Sequence, residues 1–396
     1  MKGLKMNPIY KNIKKEYIFQ FVRNTSFSEA IWVLFLASRG MNLIEIGMLE
    51  SIFHITGMLM EVPTGFIADR YGRRTSRILG RIMSFIACLI MLASKSFYGF
   101  ALSFVIDALS FNLESGAGDA LIYDSLSQCG REAEYMKVRG RDEICFQLAH
   151  VISLVAGGIA ATVSYDLAYG ITALINLLAF GISLSFEEPQ ISSSAKNESL
   201  LQNIRRSVKA IWQNRGVLPY FLHLEIFSVY FTTVYFYFQN FLKGKGYVEY
   251  QIGLMLGITY VLGALVSSQA YKIEKLFGEK PIVIVTGILP SALFMMMAAT
   301  NAEPVAFFLI TVLDSFMFVV FGDYINKRIP SEHRATLLSF ESMLFSIMMI
   351  VFFPVIGTIS EYYGFKTSFW LIAGLSMATG ILTSILLMGT YKKEKN

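Results

Sequence analysis

Gly65-Phe66-Ile67-Ala68-Asp69-Arg70-Tyr71-Gly72-Arg73-Arg74 closes one apolar stretch, which begins near Ile44, and opens onto another, which begins near Thr75. Both stretches are long enough to cross about 30 Å of hydrocarbon. The segment between them therefore reads as a polar hairpin at a membrane surface. Its arginines suit the cytoplasmic side, where loop Lys and Arg concentrate. Gly65 and Gly72 allow close helix approach and a tight turn. Asp69 can accept hydrogen bonds from the exposed amides of a helix N-terminus, and Arg70, Arg73 and Arg74 can pair with acids or lipid headgroups.

Working outward, further apolar stretches begin near Tyr17, Phe97, Ile144 and Leu167, and six more near Val217, Tyr250, Pro281, Val305, Ala335 and Thr367. The pattern predicts an all-α membrane protein with twelve transmembrane helices in two pseudo-symmetric six-helix halves, 1–186 and 217–396, joined by a cytoplasmic linker over 187–216. Composition agrees: 54% of the 396 residues are hydrophobic and 16% charged, and the mean hydropathy is +0.52, whereas soluble domains carry about a quarter charged residues. If the N-terminus is cytoplasmic, the inner segments hold all of the 34 Lys and Arg except Arg39, Lys95, Lys243, Lys245 and Lys366. That asymmetry orients the chain in the cell membrane with both termini inside.

The net charge of +5 is thus topological, and nucleic acid is not an expected partner. The lead-in carries Lys2, Lys5, Lys11, Lys14 and Lys15 without the short apolar core and cleavage site of a signal peptide. Cys88, Cys129 and Cys145 have no paired or metal-ligand spacing, so neither a disulfide framework, a metal nor a cofactor is expected. The linker opens on Glu187-Glu-Pro-Gln-Ile-Ser-Ser-Ser, a flexible run. Beyond it Leu200, Leu201, Ile204, Val208, Ile211 and Trp212 recur at helical spacing, with Arg205, Arg206 and Lys209 off the stripe. This predicts an amphipathic helix on anionic lipid.

In a chain of this length and halved plan, the hairpin resembles the signature of the major facilitator superfamily between helices two and three: Gly, three residues, Asp, a basic residue, one residue, Gly and two basics. Every defined position matches, and the resemblance covers the whole chain. It implies a monomeric secondary transporter of small molecules that alternates access between its halves. It also implies a cytoplasmic latch made of Asp69, Arg73 and Asp124, engaging the N-terminus of the eleventh helix. The matching loop in the second half, Lys275-Leu-Phe-Gly278-Glu279-Lys280, keeps little of the pattern, so the latch is expected to be one-sided.

Within the superfamily the chain resembles drug/proton antiporters, with one departure. Their fifth-helix signature contains Gly-Pro before Gly-Gly, and here Ser153-Leu154 precede Val155-Ala156-Gly157-Gly158. An uptake symporter or a lipid or metabolite carrier would use the same parts. No GxxxxGK[ST], HExxH or GxSxG motif is present, so an enzyme is not expected.

Ionisable groups at membrane depth are costly unless they face a partner or a cavity, which makes each a functional candidate. Glu50, His54 and Glu61 share one face of the second span. Asp107 and Glu114 share a face of the fourth, with Asp119 a turn beyond. Glu225 lies in the seventh and Asp314 in the tenth. A carboxyl so placed can load and release a proton, and Glu61 with Glu114 are the first candidates, ahead of Glu225 and Asp314. Arg23 and Glu29 in the first span can pair structurally with these acids, Arg23 with Glu114 or Glu29, or face the substrate. Phe227, Tyr230, Phe231, Tyr235 and Gln239 mark the seventh span as an aromatic and polar wall suited to flat or cationic amphipathic compounds.

Overall fold

The computed structural model describes residues 8–190, 215–329 and 334–395. The amphipathic helix expected over Leu200 to Trp212 lies outside the described residues. Fourteen α-helices are described: α1 Lys11–Asn24, α2 Trp32–Ser38, α3 Leu43–Tyr71, α4 Arg73–Ala93, α5 Phe97–Ser127, α6 Tyr135–Val163, α7 Tyr165–Ser183, α8 Leu218–Gly244, α9 Glu249–Ser268, α10 Ala270–Phe277, α11 Glu279–Ala299, α12 Glu303–Arg328, α13 Arg334–Tyr363 and α14 Phe365–Lys395.

Ten helices among the described residues are long and apolar enough to cross a membrane, which falls short of the expected twelve for two physical reasons. The first span is broken between α1 and α2, where hydroxyl groups compete with helical hydrogen bonding. Thr25 Oγ1 donates back to Phe21 O at 2.8 Å, while the amides of Ser26 and Ser28 donate to Ser153 Oγ and Thr172 Oγ1 at 2.8 and 3.1 Å. Neighbouring side chains thus satisfy the backbone freed by the break, the condition for irregular chain at membrane depth. The fourth span, α5, is 31 residues long, but Asp107, Glu114, Asp119 and Asp124 make it too polar to join the ten.

The chain divides into two compact units. Unit 1 comprises 1–35, 52–199 and 247–257, and unit 2 comprises 36–51, 200–246 and 258–396. In unit 1, α4 packs on α5 and α7, and α1 on α6 and α7; in unit 2, α11 packs on α14, and α8 on α12, α13 and α14. The third and sixth spans thus pair as the ninth and twelfth do, the repeat expected of two parallel halves. Unit 2 takes in the start of α3: Leu43 N–H donates to Glu361 at 2.9 Å and Tyr237 Oη donates to Leu43 O at 3.2 Å.

The crossing of α11 and α14 requires glycine. A Cβ on Gly380 would stand 1.8 Å from Gly287 O, so the two backbones meet where small residues alone permit it.

Candidate functional site

The hairpin places Gly72 between α3 and α4 with φ of +100°, a conformation that penalises a side chain. Space is also missing, because a Cβ there would sit 2.6 Å from the Glu188 carboxyl. That carboxylate caps α4, accepting from Arg73 N at 2.7 Å and Arg74 N at 2.9 Å. Asp69 accepts from Arg73 Nη1 at 2.6 Å, and Arg73 Nε lies 3.7 Å from Asp124. Arg74 donates to Leu184 O at 2.7 Å, and Arg70 stands over the Phe66 and Tyr71 rings. The run from Glu187, expected to be flexible, begins tied down, since Asn12 also exchanges two hydrogen bonds with the Glu187 backbone.

One turn into α4 lies a buried ion cluster. Arg77, fully buried, grips Glu16 with two hydrogen bonds of 2.6 and 3.0 Å and donates Nε–H to Glu114 at 2.8 Å. The Phe19 and Phe186 rings stand 4.2 and 4.8 Å from its guanidinium. Arg23 reaches Glu114 at 2.8 Å and Arg81 at 3.8 Å, so three arginines converge on one carboxylate. Glu16, Arg77 and Arg81 were not singled out in the sequence, where the arginines read as loop charges; their position four apart at the head of a span was the available signal. Asp107 acts on Arg81 electrostatically. Asp119 pairs with Arg139 at 2.8 Å. Glu61 is exposed on α3, and Glu50 and His54 are half-buried. Glu29 lies within electrostatic reach of His150.

Unit 2 holds a different arrangement. Glu225 on α8 is buried, and the side chains that act on its carboxyl are the acids Glu341 on α13 and Asp314 on α12. Glu341 was not singled out in the sequence. Of the expected wall on α8, Phe227 and Phe231 are buried in ring contacts with His223, Tyr230 and Phe294, and Tyr235 stacks on Phe307. Tyr230 lines a cavity of about 360 Å3 with Met348, Phe352 and Thr379. Gln239 is fully buried, and neither polar atom of its amide has a hydrogen bond. No group of three or more His, Cys, Asp or Glu able to hold a metal occurs among the described residues.

Helical halves of this kind with a charged hairpin define a membrane carrier, and the sequence agrees. The Major Facilitator Superfamily model matches residues 17–274 and 249–396, and the chain belongs to that superfamily. The chain is 23% identical over 382 residues to an uncharacterized MFS-type transporter, YxaM, of Bacillus subtilis, covering 93% of this chain and 94% of that one. Among solved structures it is similar to the nucleoside transporter NupG, with a TM-score of 0.78 at 15% identity over 98% of this chain and 100% of that one. A D-xylose–proton symporter aligns with a TM-score of 0.71 at 14% identity, covering 95% and 97% of the two chains. Likeness at that identity establishes the fold. The chain is a multi-pass membrane transporter of a small molecule.

Proposed function

We propose that this transporter is a proton-coupled exporter of amphipathic aromatic compounds and that its coupling proton resides on the Glu225–Glu341 pair. The observation that carries the reading is the company of buried Glu225, on which the carboxyls of Glu341 and Asp314 act. Buried acids that act on one another repel when both are charged, so such a group favours holding a proton. Asp314 adds a third acid, so the groups acting on Glu225 are all acidic. Glu114, first in line from the sequence, is surrounded by Arg23, Arg77 and Arg81, an arrangement suited to holding helices together. The apolar cavity beside Tyr230 and the aromatic wall of α8 favour flat, amphipathic cargo. The latch residues Asp69, Arg73 and Asp124 serve the cycling between states.

Purified protein in proteoliposomes, loaded with the aromatic cation ethidium, tests both parts. Ethidium should accumulate against its gradient when protons flow the opposite way and not when they flow with it. Accumulation only in the co-directional gradient would make the chain an uptake symporter. Orientation is tested separately: Lys137→Cys, in a background lacking Cys88, Cys129 and Cys145, should react with impermeant thiol reagents only after cells are permeabilised.

A further inference from the structure

The ion cluster of unit 1 borders a polar cavity that neither the latch nor the carboxyl pair uses. It measures about 200 Å3 and is walled by α1, α5 and α6, with Arg23, Glu114, Ser115, Arg139, Asp142 and Phe146 in its lining. Its guanidiniums are already engaged: Arg23 lies 2.8 Å from Glu114, and Arg139 lies 2.8 Å from Asp119. Asp142 is only 3% exposed. Its oxygens make no hydrogen bond, and Arg139 approaches no closer than 3.6 Å. Glu114 Oε2 likewise lacks a hydrogen bond. The buried polar atoms of this lining left without hydrogen bonds are therefore three carboxylate oxygens, all acceptors.

A buried carboxyl group left without partners is unfavourable, so the cavity is built for something that donates. A metal is the poorer candidate, since the described residues form no set of three metal-binding side chains. An alkylammonium offers three N–H donors and no acceptor, and the Phe146 ring, stacked on His150, offers its carbon chain an apolar face. The volume is below the roughly 300 Å3 of a drug-sized pocket, enough for one end of a larger molecule.

The geometry points to a subsite for the ammonium end of a cationic amphiphile, seated against Asp142 in unit 1. It rests on the reading of the chain as a carrier of amphipathic organic compounds and narrows that class to primary amines.

Thermal unfolding of the purified full chain in detergent tests it with three isosteric probes: phenethylamine, phenethyl alcohol and phenylacetate. Phenethylamine at neutral pH should raise Tm saturably, and the neutral and anionic probes should not. The rise should vanish in Asp142→Asn. Should that variant fail to fold, Ser115→Leu, which fills the cavity, should also abolish the rise. Equal shifts with phenethyl alcohol, or a phenethylamine shift that survives these substitutions, would overturn the subsite. Intact proton coupling in proteoliposomes with no phenethylamine shift would overturn the subsite alone. A shift without any proton coupling would sink the coupling proposal and leave the subsite standing.

Discussion

Both units set an aromatic ring 4.2 Å from a guanidinium, Phe19 beside Arg77 in unit 1 and Tyr220 beside Arg328 in unit 2, yet the two arginines do different work. Arg77 is fully buried and holds Glu16 and Glu114 together across α1, α4 and α5. Arg328 sits at the end of α12 and pairs with Glu279 at 2.9 Å, both partly exposed. In unit 1 Glu16 and Glu114 are met by arginines. In unit 2 Glu225 is met by Glu341 and Asp314. A carboxylate matched by fixed positive charge stabilises one packing arrangement, whereas a carboxyl matched by another carboxyl keeps a proton it can release.

The largest expected effect tests the structural side of that contrast. Arg77→Met leaves Glu16 and Glu114 buried with much of their compensation gone, a loss of about 3–5 kcal/mol. A steep fall in Tm and in yield of folded protein should follow. Arg328→Met, at a half-wet pair, should lower Tm far less. Comparable losses in the two variants would erase the distinction between the units.

A smaller effect concerns the cap on α4. Glu188→Ala removes the acceptor for two helix amides and should destabilise by about 1 kcal/mol, read as a modest Tm decrease with binding unchanged. No shift in Tm would mean that the helix end is satisfied without Glu188.

Smaller again on stability is Asp69→Asn, which weakens the Asp69–Arg73 pair on the exposed hairpin. It should slow transport several-fold while substrate affinity at equilibrium stays within a factor of two or three. Loss of binding in proportion to transport would move Asp69 out of the latch and toward the substrate.

The hairpin was legible in the sequence because its residues are contiguous and its chemistry local: the apolar runs, Gly72 and the arginines all lie within one turn of chain. The break in the first span was not, since it depends on Ser153 and Thr172, which reach Ser26 and Ser28 from α6 and α7. Arg77 read as one more loop charge because its acids come from α1 and α5. Glu225 was visible on its own helix, but its significance depends on Glu341, brought beside it by the packing of α8 on α13. Residues whose role lies in a partner distant in the chain carry no local mark of it.

The central claim, that the proton rides in unit 2 and the unit 1 cluster is structural, meets its most direct test in pH-driven transport by three Glu→Gln variants in proteoliposomes. Glu225→Gln and Glu341→Gln should each lose accumulation driven by a pH gradient while still exchanging substrate at equal pH. Glu114→Gln, in whatever fraction folds, should keep the coupling. Full pH-driven accumulation by both Glu225→Gln and Glu341→Gln, together with its loss in Glu114→Gln, would contradict the account.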